Sequence, residues 1–246
     1  MHEPPLLVIM AKAPVCGAVK TRLAKETSAV AAVALTRTLT AILLRELARD
    51  GRFRAVLAIS PDTALGAPFK AWSLLHRHPG QAKREPRPQN RQRVNALRSR
   101  IRLRLSGMTA PPRFPQGRGG LGRRMQRIFD ACGQGPLIII GTDIPFIRRG
   151  MIADAFARLR GADAVFGPAE DGGYWLVGLS RRPKRLAPFE NVRWSSPHAL
   201  ADSLGNLRGQ RVAFATVLFD IDTEADYRRY KRASIGPARY ARSGAA

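Results

Sequence analysis

The chain has 246 residues and a formal net charge of +24, and 45% of its residues are hydrophobic. A chain of this length can bury a large core without disulfides or a structural metal. Cys16 and Cys132 form neither a CxxC motif nor a zinc-binding pattern. No apolar run approaches the ~20 residues of a membrane span, and the first residues lack the features of a signal peptide. These properties predict a soluble cytoplasmic protein.

The positive charge has two interpretations. The 42 Lys and Arg residues would attract a polyanion such as nucleic acid. They are spread along the chain, however, and no aromatic residues interleave with them as in single-strand binding platforms. We therefore favour an arginine-rich solvated surface, which would also suit phosphorylated substrates.

The hydrophobic pattern predicts alternating strands and helices. Strands are predicted at residues 6–11, 54–60, 137–141, 163–167, 174–179 and 212–219, and helices at 28–49, 121–132 and 151–160. Ser28 is the predicted N-cap of the long helix, and two further helices are predicted to begin at Ser196-Pro197 and at Thr223. The alternation predicts one α/β domain, residues 1–235, with a three-layer, mostly parallel central sheet.

One segment departs from this pattern. Residues 76–113 contain eleven Lys and Arg residues and a single acid, Glu85. Such a composition predicts a flexible, basic insertion. A flap over an anionic ligand and an out-of-frame stretch of the gene remain alternatives. Residues 236–246 are predicted to form a disordered tail.

A basic loop with one glycine follows the first predicted strand. Gly17 would allow the backbone to approach a ligand closely, and the start of the following helix favours an anion. The loop contains no Gly-Lys pair and is therefore not a Walker A loop. An ordinary basic loop has the same composition, but the pattern favours a nucleotide-phosphate site formed by Lys12, Pro14, Gly17, Lys20, Thr21 and Arg22.

Acidic residues follow other predicted strands. Asp143 comes directly after the apolar run 137–141, where a carboxylate could hold Mg²⁺ together with phosphate oxygens. Asp220 and Asp222 would point to the same side of a strand and could reach one metal. Each could instead cap a turn, Asp143 before Pro145 and one of the other two before Thr223.

Glycines and an acid also follow the predicted strand 163–167. Gly172 and Gly173 would let the backbone approach a substrate, and Asp171 could accept a sugar hydroxyl or act as a base. Tyr174 is a further candidate substrate contact. The Asp-Gly pair is equally typical of a plain hairpin turn.

Two other patterns carry no expected function. Residues 117–122 match GxGxxG, but they follow three prolines rather than an apolar strand, so no dinucleotide site is expected. The four histidines form neither a triad nor a zinc set.

Taken together, these motifs resemble a bacterial family of glycosyltransferase-A-fold, nucleotide-diphospho-sugar transferase-like proteins. Some members are described as arsenosugar-biosynthesis glycosyltransferases, and the family is similar to the molybdenum-cofactor and phospholactate nucleotidylyltransferases. The resemblance covers roughly residues 5–75 and 114–232. It is carried by residues 11–24 (AKAPxxGxxKTRLA), 141–145 (GTDIP), 168–174 (PAEDGGY) with 177–179 (VGL), and 220–223 (DIDT).

The resemblance implies a Rossmann-like glycosyltransferase-A fold with a nucleotide above the first loop, its phosphates near Lys20 and Arg22. Asp143 corresponds to the metal-binding aspartate, and Asp222 or Asp220 to the second acidic position. Asp171 would face the sugar or acceptor. Similar proteins read QGxGDLGxRM where this chain has residues 116–125, so Gly120 replaces an expected acid.

These observations predict a metal-dependent transferase that uses an activated nucleotide, with Asp143, Asp171 and Lys20 as catalytic residues and Mg²⁺ or Mn²⁺ as cofactor. A nucleotide-sugar glycosyltransferase is favoured. A nucleotidylyltransferase that releases pyrophosphate needs the same phosphate site and metal, and therefore remains an alternative. A catalytically degenerate nucleotide- or polyanion-binding protein is the third reading.

Overall fold

The computed structural model describes residues 4–47, 50–66, 111–132, 135–180 and 185–235. Within these ranges seven strands form one sheet. They are β1 (Leu6–Lys12), β2 (Arg54–Ser60), β3 (Arg113–Pro115), β4 (Leu137–Ile140), β5 (Ala164–Pro168), β6 (Tyr174–Leu179) and β7 (Val212–Phe214).

The sheet is mixed but mostly parallel. The strand order is β3-β2-β1-β4-β6-β5-β7, and β6 is antiparallel to both of its neighbours, β4 and β5. The other pairs are parallel. The carboxyl ends of β1 to β5 and of β7 therefore meet at one edge of the sheet, where ligands of open α/β sheets bind.

Helices cover both faces of the sheet because the central strands are apolar on both sides. Leu7 and Ile9 of β1 point into one core cluster, whereas Leu6 and Val8 point into the other. The helices are α1 (Thr21–Glu26), α2 (Ala29–Leu47), α3 (Leu121–Ala131), α4 (Arg149–Arg158), α5 (Ala199–Gly205) and α6 (Glu224–Ile235). The buried residues of α4 and the last buried leucines of α2 belong to the first cluster, and those of α3 belong to the second. Leu35 and Leu39 of α2 form a third, smaller cluster with Leu23 and Ile221.

Most predicted elements are present, and two caps have the expected chemistry. The Ser28 hydroxyl accepts a hydrogen bond from the N–H of Ala31 at 3.1 Å, as an N-cap of α2. Thr223 and Asp226 form a reciprocal capping pair before α6, with N–H to side-chain oxygen distances of 2.8 and 3.3 Å. Both caps follow from side chains that satisfy free N–H groups at a helix start.

Four expectations need correction. Helix α1 was not predicted. Helix α5 begins at Ala199 rather than at Ser196-Pro197, because the Ser196 hydroxyl donates to the carbonyl of Arg193. Strand β7 ends at Phe214, and only an isolated bridge at Leu218 continues the predicted strand 212–219.

The fourth correction concerns the region before α3. Arg113 was placed in the insertion but starts β3, which pairs with β2. The GxGxxG match at residues 117–122 therefore does follow a strand and lead into a helix. Residues 111 and 112 of the predicted insertion are also described, whereas its residues 76–110 and the predicted tail, residues 236–246, lie outside the described residues. Among the helices of the described ranges, none combines the length and hydropathy that crossing a membrane requires.

Candidate active site at the carboxyl edge of the sheet

The site is built around the ammonium group of Lys20. This residue precedes α1 with a left-handed backbone, φ 44° and ψ 52°. Its side chain is only 2% exposed, and Nζ donates to the carbonyl of Ile221 at 2.5 Å. A left-handed non-glycine residue costs of order 1 kcal/mol, so the surrounding contacts hold this lysine in place.

Two carboxylates from distant segments approach the same ammonium. Asp143 Oδ1 lies 3.5 Å from Lys20 Nζ, and Asp222 Oδ1 lies 3.9 Å from it. The N–H of Ile221 also donates to the carbonyl of Asp143 at 3.3 Å, which joins the segment after β7 to the segment after β4. The exposed Arg22 reaches Asp222 at 3.7 Å. The structure thus brings Lys20, a predicted catalytic and phosphate-binding residue, together with the acids.

Asp220 lies close enough to Asp222 and Asp171 to be influenced by their charges. Burial, then the charges of Asp222 and Asp171, raise the pKa of Asp220 to about 6. Asp171 Oδ1 accepts the N–H of Gly173 at 2.9 Å within the β5–β6 turn. A Cβ at Gly172 would lie 2.3 Å from the Pro197 carbonyl oxygen, so only glycine fits there. The hairpin interpretation of this turn is correct, and the turn also places Asp171 beside Asp220.

The remaining predicted phosphate contacts form the rim of the site. Lys12, Gly17 and Thr21 are exposed, and Pro14 is half-buried. Gly17 has φ +75° and open space around its Cβ position. The loop starts where the N–H of Ala13 donates to the carbonyl of Ser60 at 2.7 Å. A ligand can therefore approach this loop from solvent.

Tyr174, a predicted substrate contact, does not join the cluster. Its ring packs edge-on against Phe166 and Trp194 in the core. Its hydroxyl is 3.2 Å from that of Ser203, which is fully buried. Burial raises the pKa of the Tyr174 phenol, in keeping with a structural role.

Replacing Tyr174 with phenylalanine is expected to lower the free energy of unfolding by about 1–3 kcal/mol, because a buried hydroxyl of Ser203 loses its partner. Nucleotide affinity is expected to stay within about twofold of the original, a change below about 0.5 kcal/mol. Urea unfolding and isothermal titration calorimetry measure the two quantities. A loss of nucleotide affinity without a loss of stability would indicate that Tyr174 contacts the substrate.

The donor set suits a hard divalent cation. Mg²⁺ takes one or two carboxylates and completes its octahedron with water and phosphate oxygens. Asp143 and Asp222 are 55% and 42% exposed, so both have free faces, and the ammonium of Lys20 shows that a positive charge is held between them. Within the described ranges no group of three or more His, Cys, Asp or Glu could hold a metal. Water or substrate oxygens would complete the coordination of a metal held by the pair.

A second polar cluster lies at the same edge and was missed in the sequence. Gln116, directly after β3, is 3% exposed and bridges β1 and β2 through their carbonyls. Its Oε1 accepts Nη1 of Arg124 in α3 at 2.7 Å. A three-residue strand with two prolines before it gives a weak signal, so the polar residue after that strand was overlooked.

The comparisons with known proteins agree with this architecture. Residues 95–196 match the model of a family described as uncharacterized proteins conserved in bacteria, DUF2064. No curated protein sequence matches the chain. A crystal structure of a candidate nucleotide-diphospho-sugar transferase from Desulfovibrio desulfuricans is similar, with a TM-score of 0.75 and 24% identity over 96% of this chain and 90% of that one.

Two nucleotidyl transferases are more distant relatives in structure. One is 4-diphosphocytidyl-2C-methyl-D-erythritol synthase from Anaerococcus prevotii, with a TM-score of 0.50 and 10% identity over 94% of this chain and 96% of that one. The other is CMP:2-keto-3-deoxy-manno-octonic acid synthetase in complex with CTP, with a TM-score of 0.51 and 11% identity over 94% and 98%. The resemblance predicted from the motifs is confirmed: the chain matches DUF2064 over residues 95–196 and has the fold of nucleotide-diphospho-sugar transferases.

Proposed function

We propose that the chain is a metal-dependent transferase of the glycosyltransferase-A type, which uses a nucleotide sugar as its donor. The observation that carries the proposal is the meeting of Lys20, Asp143 and Asp222 at the carboxyl edge of the sheet. Three separate segments supply these groups, and one backbone hydrogen bond locks two of the segments together. Both carboxylates are about half-exposed, so each keeps oxygen surface that a ligand can reach beside the buried ammonium.

In this proposal Asp143 and Asp222 hold Mg²⁺ or Mn²⁺. The metal would neutralise charge on the diphosphate and activate it as a leaving group. Lys20 keeps both acids oriented and adds a fixed positive charge, the kind of preorganised electrostatic contribution that dominates many enzymes. Lys12, Arg22 and the backbone around Gly17 and Thr21 bind the phosphates from the rim.

The acceptor would bind on the other side of the acids, next to the β5–β6 turn. Asp171 has one oxygen bound to the N–H of Gly173 and the other available for a sugar or acceptor hydroxyl. In this proposal the donor phosphates bind at the loop after β1 and the acceptor binds beside the β5–β6 turn.

The experiment is a thermal-shift screen with nucleotide sugars, nucleoside diphosphates and nucleoside triphosphates, each with and without Mn²⁺. A ligand at 100 times its Kd is expected to stabilise the native state by about 2.7 kcal/mol. We expect a metal-dependent shift with one nucleotide sugar, followed by release of nucleoside diphosphate when an acceptor is added.

Other outcomes assign a different function. Pyrophosphate release from a triphosphate would establish nucleotidyl transfer, which the same phosphate site and metal can support. No shift with any nucleotide would contradict the proposal and favour a polyanion-binding protein, whose affinity for nucleic acid should fall steeply with salt.

A further inference from the structure

A second cationic side chain, that of Arg124, lies at the carboxyl edge of the sheet, on the other side of β1 from Lys20. Gln116 Nε2 donates to the carbonyls of Ala11 at 3.1 Å and Ala58 at 2.9 Å, which holds the ends of β1 and β2 together. The same amide orients Arg124 through its Oε1, and Nη1 of Arg124 lies 3.5 Å from the Ser60 hydroxyl. The guanidinium therefore lies beside the start of the basic loop that follows β1.

The charge of Arg124 is poorly compensated. Its Nε is buried and has no acceptor among the described residues. Burial and the charge of Arg127 lower the pKa of Arg124, and among the described residues Asp62 opposes them. The Asp62 carboxylate is already engaged, because its Oδ1 accepts the N–H of Gly117 at 3.0 Å. A buried polar atom without a partner indicates a missing acceptor.

The neighbouring residues increase the positive potential. Helix α3 has no acid in its first turn, and its N-cap, Gly120, has no side chain. Arg118 is exposed beside it. The start of α3 therefore contributes no negative charge near Arg124.

We propose that Arg124 is a specificity-determining residue that binds an oxyanion, a phosphate or carboxylate group of the substrate, at a subsite separate from the Lys20 cluster. This inference rests on the proposed function, since the oxyanion would be part of the substrate that binds at the carboxyl edge of the sheet. Arg124 lies near the end of β2 and Lys20 near the end of β4. Because these strands flank β1, the two side chains lie on the order of 10 Å apart across the sheet. The planar N–H groups of a guanidinium match the oxygens of such a group.

Phosphate binding to the full chain tests the subsite. Isothermal titration calorimetry with inorganic phosphate, and in parallel with acetate, compares the original protein with Arg124→Gln and with the matched control Arg123→Gln. We expect Arg124→Gln to weaken binding about 10- to 100-fold, the range for a hydrogen-bonded charged pair, and Arg123→Gln to change it less than about threefold. If phosphate binds and acetate does not, the subsite is specific for phosphate. If acetate binds and phosphate does not, the subsite is specific for carboxylate.

A second variant keeps the proposal falsifiable if Arg124→Gln does not fold. Gly120→Asp leaves Arg124 in place and adds an acid where a Cβ meets no atom within 4 Å. It is expected to weaken phosphate binding by roughly fivefold or more, because like charges repel at short range. Unchanged phosphate affinity in Gly120→Asp would overturn the inference.

The nucleotide titration separates this inference from the proposed function. In Arg124→Gln, unchanged metal-dependent nucleotide binding with lost phosphate binding supports a separate subsite. Unchanged phosphate affinity, with an altered preference among nucleobases, would mean that Arg124 reads the base and would overturn the oxyanion assignment. Loss of metal-dependent nucleotide binding in every variant and in the original chain would refute the proposed function alone.

Discussion

Replacing Asp143 with asparagine is expected to reduce turnover by about 10²–10³-fold, the loss seen when one electrostatic contact to a transition state is removed. Asparagine keeps the size of the side chain but removes the negative charge that would balance a divalent cation. Asp143 is 55% exposed, so the free energy of unfolding should change by less than about 1 kcal/mol. Turnover and the metal-dependent thermal shift are both expected to be lost.

A matched control separates this effect from a general change in charge. Asp154 in α4 is also about half-exposed, at 50%, and pairs with Arg158 one helical turn away. Asp154→Asn removes the same charge at a position outside the Lys20 cluster. Surface ion pairs of this kind contribute about 0.3–0.5 kcal/mol to stability. We expect its turnover to match that of the original protein. Full activity of Asp143→Asn would refute the metal assignment.

The individual segments of the site could be predicted from sequence because local rules govern them. The buried strand β4 is a run of aliphatic residues, and an acid directly after it must lie at the edge of the sheet. The Thr223 cap and the turn at Gly172 follow equally from local hydrogen bonds and backbone freedom. None of these inferences needed contacts between distant parts of the chain.

The grouping of the side chains could not be predicted in the same way. Lys20 contacts the carbonyl of Ile221, 201 residues later, and nothing in its own segment indicates that it turns inward. The Gln116–Arg124 cluster was missed because β3 has only three residues, so it lacks the alternating pattern that identifies a strand. The packing of the Tyr174 ring in the core could not be predicted, because the position of a residue beside a hairpin turn does not fix which face of its strand is buried.

Lys20 provides the sharpest test of the grouping, since its replacement should have opposite effects on two binding events. Lys20→Met preserves much of the side-chain length but removes an ammonium that lies within 4 Å of both Asp143 and Asp222. At that distance, a unit positive charge repels another by about 4 kcal/mol at an effective dielectric constant of 20. Without it, Mn²⁺ alone is expected to bind at least tenfold more tightly.

Turnover of the same variant should fall, by about 10²-fold or more, because the fixed charge near the leaving group is gone. The carbonyl of Ile221 also loses its donor, which should lower the free energy of unfolding by about 1–2 kcal/mol. Calorimetric titration with Mn²⁺, steady-state turnover and urea unfolding measure the three effects. Lys25→Met, an exposed lysine of the same helix α1, is the control and should leave all three unchanged.

The combination of effects distinguishes a catalytic cluster from a structural ion pair. If Lys20 only stabilised the fold, its loss would lower stability, and turnover would recover under conditions that restore folding. If Lys20 and the metal share the two carboxylates, Mn²⁺ affinity rises while turnover falls, even in fully folded protein. Weaker Mn²⁺ binding in Lys20→Met would contradict this competition and remove Asp143 and Asp222 from the metal site.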